Sequence, residues 1–226
     1  VEIGVLGATG PAGRGLAARL ASVGHDVLAG SRDLGRAEAA VDKLRGRWGD
    51  RVDGLQAATN DGAAAARDLI VIATTWEGAV ATAAAHAEAL AGKVVISMAN
   101  GLEKVDDEFR PVLPEEGSLA AAVQAAAPRA RVVSAFHLVP AAAFAQIDQR
   151  LESDIVVCAD DDDARRVVLD LVVGLPDLRG FDAGSLANSV GIEAFAAVLL
   201  SVNLRHHGKG TLRLLGVEGY TGSARS

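Results

Sequence analysis

The 226-residue chain has little of what most binding classes need. Its one cysteine, Cys158, excludes an intrachain disulfide and suits a reducing compartment. Aromatic residues make up 4%, and the formal net charge is −7 with a sequence pI of about 5.2. Nucleic-acid binding uses a basic surface to displace counterions and rings on which bases stack. With neither, nucleic acid is not an expected partner. Apolar stretches are broken by charge, as Arg67, Asp68, Glu77 and Glu88 break residues 62–91, and no membrane span is expected. The chain opens directly on a strand, without Met, basic leader or cleavage site. The expectation is a processed or trimmed chain that is cytoplasmic.

What is present is a regular alternation of short β-branched runs and alanine-rich stretches, half of the residues being hydrophobic (50%). Strands are expected at 1–6, 27–29, 55–58 (weak), 69–73, 94–98, 132–136, 155–158 and 179–183. The run 69–73 is apolar on both faces, as a central parallel strand is. A helix is expected from about Ala12, with Leu16, Leu20 and Val23 on one face and Gly24 as its stop. Others are expected over 35–48, after the acidic run Asp160–Asp163, and over 186–205. This alternation predicts an α/β fold, a Rossmann-type, doubly wound, mainly parallel sheet over 1–150, with a small C-terminal α+β domain over 151–226. The polar tail 218–226 is expected to be mobile.

Between the first strand and helix stands Gly7-Ala8-Thr9-Gly10-Pro11-Ala12-Gly13. Glycines permit a tight turn and let backbone amides approach a pyrophosphate, while the helix N-terminus supplies free N–H donors. Pro11, near the first helical position, costs no needed donor. The second strand ends in Gly30-Ser31-Arg32, where an NAD enzyme usually places a carboxylate for the ribose 2′-OH. Ser31 and Arg32 instead offer donors to a 2′-phosphate, with Arg36 one turn further on, so NADP is expected over NAD. Asp33 reads as the cap of the next helix. Thr74-Thr75-Trp76, after the fourth strand, either lines the nicotinamide ribose or begins a helix over a packed Trp.

Acid–base groups are scarce. The only tyrosine, Tyr220, is followed four residues on by Ala224, which excludes a Tyr-x-x-x-Lys proton donor. The four lysines, Lys43, Lys93, Lys104 and Lys209, lie outside the long apolar helix. Carbonyl reduction normally needs a general acid, and His137 is the best candidate left. Hydride exchange between two redox cofactors asks only for two rings stacked in a dry cleft, and this composition permits it. Asp160–Asp163 reads as a helix start, His206 and His207 point to different sides of a helix, and no metal is expected. Cys158 reads as a small buried hydrophobe.

Over nearly its whole length the chain resembles the NADPH-dependent reductases of the deazaflavin coenzyme F420. The segments that carry the likeness are Gly7 to Gly13, Gly30-Ser31-Arg32, Trp76-Glu77, the stretch from Ser134 through His137, Pro140 and Ala141 to Phe144, Asp182 to Ser189, and Arg205 to Gly210. The chain departs from the family pattern at Thr75, where proline is usual, and at the polar stretch Met98-Ala99-Asn100-Gly101. The resemblance implies hydride transfer between C5 of the deazaflavin and C4 of nicotinamide. It places NADP on Thr9, Gly10, Pro11, Ala12, Ser31, Arg32 and Arg36. It places coenzyme F420 on Met98, Asn100, His137, Pro140, Ala141 and the segment from Leu204 to Gly208, with His137 orienting or polarising the ring. It also implies a homodimer, with the helix over 186–205 at the contact. Two rival readings keep the same nucleotide half: an NADPH-dependent reductase of an imine, a flavin or a ferric chelate, and a non-catalytic NADP sensor.

Overall fold

The computed structural model describes residues 1–222. In chain order the elements are β1 (Glu2–Leu6), α1 (Pro11–Ser22), β2 (Asp26–Ser31), α2 (Leu34–Trp48), β3 (Leu55–Thr59), α3 (Asn60–Ala64), β4 (Leu69–Ile72), α4 (Trp76–Ala85), α5 (Ala87–Leu90) and β5 (Val94–Ser97). Then come β6 (Leu102–Val105), β7 (Glu108–Pro111), α6 (Leu119–Ala126), β8 (Arg131–Ser134), α7 (Ala141–Phe144), β9 (Ser153–Val157), α8 (Asp162–Val173), β10 (Leu178–Asp182) and α9 (Ser189–Arg205).

Six strands form a parallel sheet in the order β3-β2-β1-β4-β5-β8, with Leu6 level with Gly30 on one side and Ile72 on the other. Alternate residues face opposite layers. Ile3, Val5, Leu69, Val71, Val94, Ile96 and Val133 join the core under α1, α2 and α8. Leu6, Ile70, Ile72, Val95 and Val132 join the core under α3, α4 and α6. Both faces are therefore covered, and every residue of β4 and β5 is buried. The expected doubly wound architecture is what forms.

Local chemistry sets the helix ends. Asp33 caps α2 by accepting from Arg36 N–H at 2.9 Å, and Asp161 caps α8 through Ala164 N–H at 2.7 Å, with Asp162 and Asp163 in the first turn. Gly24, at φ +88°, follows the last turn of α1. Cys158 is wholly buried, as its sequence reading expects.

Beyond residue 150, Ser134 and Cys158 exchange backbone bonds at 2.8 and 3.1 Å as an antiparallel bridge, so the parallel pair β9–β10 continues the sheet with reversed polarity. Leu151, Ile155 and Val157 lie in the same hydrophobic cluster as Ile3 and Val71, so one core runs across residue 150.

Some expectations need correction. The strand expected over 132–136 stops at Ser134, because Phe136 turns back at φ +67°. The antiparallel hairpin β6–β7, turning at Asp106 with φ +50°, has no counterpart in the sequence reading. The polar tail is tied down as far as it is described: Tyr220 N–H donates to Gly180 O at 2.7 Å. The rest of that expectation falls on 223–226, outside the described residues. Leu186–Arg205, a 3₁₀ turn followed by α9, is long and apolar enough to cross a membrane by length and composition, which the sequence reading did not foresee.

Candidate functional site

A cleft of about 590 Å³ opens at the carboxyl ends of β1, β2 and β4. This is where parallel α/β sheets bind ligands. Its walls include Gly7, Thr9, Gly10, Pro11 and Ala12 from the first turn, and Ser31, Arg32 and Arg36 from the end of β2 and α2. Gly7 adopts φ +82°, which L side chains rarely do, and accepts from Gly10 N–H at 3.1 Å to close the turn. Gly13 does not line the cleft. Its missing side chain lets α1 approach the turn, since a Cβ there would lie 2.8 Å from Gly7 O and 2.9 Å from Ala73 Cβ. No side chain caps α1, so its leading amides face the cleft as free donors.

The charged side chains among these walls are Arg32 and Arg36, and neither has an ion-pair partner among the described residues. No carboxylate lines the cleft, although the chain carries 29 acidic residues. The site is built for an anion. Its small amide-rich turn fits a pyrophosphate, and its two free guanidinium groups fit a further phosphate.

On the opposite wall stand Ala73, Thr74 and Thr75, followed by Gly78 and Thr82 of α4. Thr74 Oγ1 is buried and has no hydrogen-bond partner, which leaves it free for a ligand. Thr75 begins α4 while lining the cleft, whereas Trp76 packs against the core under α4 and is not among the cleft walls.

The residues assigned by resemblance to the deazaflavin are placed differently. Met98 and His137 are buried, Asn100 and Pro140 lie on the loops after β5 and β8, and Ala141 begins α7. None of the five lines the cleft. His137 Nδ1–H donates to Asn100 Oδ1 at 2.9 Å, and its Nε2 accepts from Ser134 Oγ at 2.8 Å. Burial pushes its pKa down to about 4, against a hydrogen bond to the Ala99 backbone. With both nitrogens engaged within the protein, the ring ties the loop after β8 to the loop after β5. Leu204 and Gly208 lie at the exposed end of α9, away from the cleft walls. No cluster of metal-ligating side chains occurs among the described residues.

Two residues escape the sequence reading. Arg19 on α1 is buried and donates to the carbonyls of Phe144, Ala143 and Gln146, which fastens α7 to the nucleotide half. Asn60, directly after β3, reaches the glycine turn and lines the cleft. A polar residue immediately after a parallel strand was the available signal for Asn60.

Residues 2–101 match the family model described as NADP oxidoreductase coenzyme F420-dependent. The F420-dependent NADP reductase of Methanocaldococcus jannaschii is 34% identical over 227 residues, covering 96% of this chain and 100% of that one. The F420-dependent NADP reductase of Methanothermobacter thermautotrophicus is 30% identical over 210 residues, covering 91% of this chain and 90% of that one. A solved structure from Arthrobacter sp. FB24, provisionally described as an F420-dependent NADP-reductase, superposes with a TM-score of 0.78 at 26% identity, covering 94% of this chain and 98% of that one. With its Rossmann sheet and an NADP-type cleft lined by arginine and no carboxylate, the chain belongs to the F420-dependent NADP reductase family of oxidoreductases.

Proposed function

We propose that the protein transfers a hydride reversibly between NADP(H) and the deazaflavin coenzyme F420. The observation that carries the nucleotide half is the cleft itself, whose charged walls are Arg32 and Arg36 beside a glycine turn. Ser31 and Arg32 hold the ribose 2′-phosphate, with Arg36 behind them. The first amides of α1 hold the pyrophosphate. Thr74 and Thr75 orient the nicotinamide end. The deazaflavin would supply a ring carbon that accepts or returns a hydride, with the accompanying ring-nitrogen proton exchanged with solvent rather than with a protein acid. That demand suits a cleft whose walls carry no histidine, lysine, tyrosine or carboxylate. The loops bearing Met98, Asn100 and Pro140, with Ala141 at the start of α7, at the same edge of the sheet, form the side against which the second ring is placed.

The working unit is a cytoplasmic homodimer. On α9, Phe195, Val198 and Val202 are 41%, 55% and 48% exposed at helical spacing, while the other side packs on β7 and α6. A second copy is the occupant that suits this stripe. Glu193, buried in the second turn of the helix and accepting from the amides of Leu119 and Ala120, argues against a bilayer.

The test is an absorbance assay with protein, NADPH and oxidised coenzyme F420, run in parallel with NADH. Bleaching of the oxidised deazaflavin band with NADPH, and little with NADH, supports the reading. Tight NADPH binding without bleaching would replace it with another acceptor or with a sensor.

A further inference from the structure

Asn60 belongs to none of the glycine, serine and arginine positions that mark a dinucleotide fingerprint. It follows β3 directly and is 8% exposed. Its side chain crosses the carboxyl end of β2 to reach β1, where Oδ1 accepts from Gly7 N–H at 3.3 Å. The crossing is tight: a Cβ on Gly30 would lie 3.0 Å from Asn60 Oδ1 and 2.8 Å from Ala63 Cβ. An N–H donor fixes which end of the amide is oxygen, so the other end is the donor Nδ2. Nδ2 donates to no group among the described residues, yet it is not a sealed orphan. Asn60 lines the cleft beside Ser31 and Arg32.

The position thus asks for two opposite things: an acceptor towards the glycine turn and a donor towards the ligand. Aspartate meets the first and presents a negative oxygen to the second. Among short side chains, asparagine supplies both.

We propose that Asn60 is a specificity-determining residue for a 2′-phosphorylated adenosine ribose, with Oδ1 holding the Gly7 turn in place and Nδ2 donating to the phosphate-bearing ribose beside Ser31 and Arg32. This rests on the NADP reading of the cleft.

The test is a binding titration of the whole chain with NADPH, NADH, 2′,5′-ADP and 5′-AMP, alongside thermal melts without ligand. In Asn60→Asp the melt stays within a few degrees of the wild type, because the acceptor for Gly7 remains. NADPH and 2′,5′-ADP bind at least tenfold more weakly, and NADH and 5′-AMP stay within twofold. In Asn60→Ala all four weaken because the turn is loosened, and the NADPH-to-NADH preference falls at least threefold. An unchanged preference in either variant overturns the proposal. A wild-type protein with no preference for the 2′-phosphate would remove the nucleotide reading itself, and that outcome needs no variant to be seen.

Discussion

Asn100 and His137 clasp each other twice: Asn100 Nδ2 donates to His137 O at 2.9 Å, and His137 Nδ1 donates to Asn100 Oδ1 at 2.9 Å. The clasp ties the loop after β5 to the loop after β8, and burial holds the imidazole neutral. Glu193, pushed up to about 7 by burial against two amide bonds, does the reverse for a carboxyl. The two act oppositely on stability. From pH 6.5 down to about 4, an unfolded histidine binds a proton that folded His137 refuses, so stability falls as pH falls. From pH 4.5 up to about 7, folded Glu193 keeps a proton that the unfolded chain releases, so stability falls as pH rises. Each contribution is about 3 kcal/mol and they oppose one another across pH 4.5–6.5, where His25, also held below its ordinary value by burial, adds in the same direction as His137. Glu193→Gln should therefore lose stability towards pH 4 more steeply than the wild type does, as read from urea midpoints. A Glu193→Gln profile parallel to the wild type's would remove the Glu193 contribution.

Replacing Arg32 with Ala should weaken NADPH binding by about 1.5–3 kcal/mol, the range for a charge-assisted bond, and leave NADH binding nearly unchanged. Arg32 has no ion pair among the described residues, so little of the loss would be structural. Equal affinity for NADPH in the two proteins would move the 2′-phosphate elsewhere.

Gly13→Ala would drive a methyl to 2.8 Å from Gly7 O and 2.9 Å from Ala73 Cβ. Overpacking of this kind costs about 1–3 kcal/mol, and the turn that gives way is the one facing the pyrophosphate. A lowered melting temperature together with weaker binding of both NADPH and NADH is expected. A melt unchanged within a degree would show that α1 can shift away.

Phe195→Asp places a charge on the exposed apolar stripe of α9. Light scattering should show the mass fall from two chains to one while the thermal melt of the monomer stays cooperative. A wild-type chain that is already monomeric at micromolar concentration would end the dimer proposal.

Cys158 is wholly buried, and desolvation raises its thiol pKa to about 11. Alkylation at pH 8 should therefore follow unfolding, being slow in buffer and fast in denaturant. Rapid labelling of the native protein would show that the β8–β9 bridge opens readily.

The legible parts of this fold are those in which neighbours in sequence decide the outcome. The both-faces run of β4, the Gly7–Gly13 turn, the Asp33 and Asp161 caps and the Ser31–Arg32 pair each state their role within a few residues. The illegible parts are set by distant partners. His137 reads as a free general acid until Asn100, 37 residues away, occupies its Nδ1. Asn60 has no role in the sequence reading, because what gives it one is Gly7, 53 residues away, whose N–H its Oδ1 accepts. The strands β6 and β7 are four residues each and carry Glu103, Lys104, Glu108 and Arg110. They owe their form to α9, where Ser201 Oγ accepts from Phe109 N–H at 2.7 Å. Trp76, the first residue of α4, packs partly buried against the core under that helix rather than on the cleft.

The reversal of the sheet at Ser134 and Cys158 also sorts charge. Running antiparallel to β8, the chain after β9 descends towards the amino edge of the sheet, and Asp161 comes within 4.0 Å of Arg131, the first residue of β8. The densest carboxylate run in the chain, Asp160–Asp163, thus ends at the rim opposite Arg32 and Arg36. The potential that an incoming polyanion meets near the cleft is set by Arg32 and Arg36, unpaired among the described residues, rather than by the net charge of the whole molecule. Encounter with a nucleotide should then quicken as salt is lowered, even though the protein carries a net negative charge of −7.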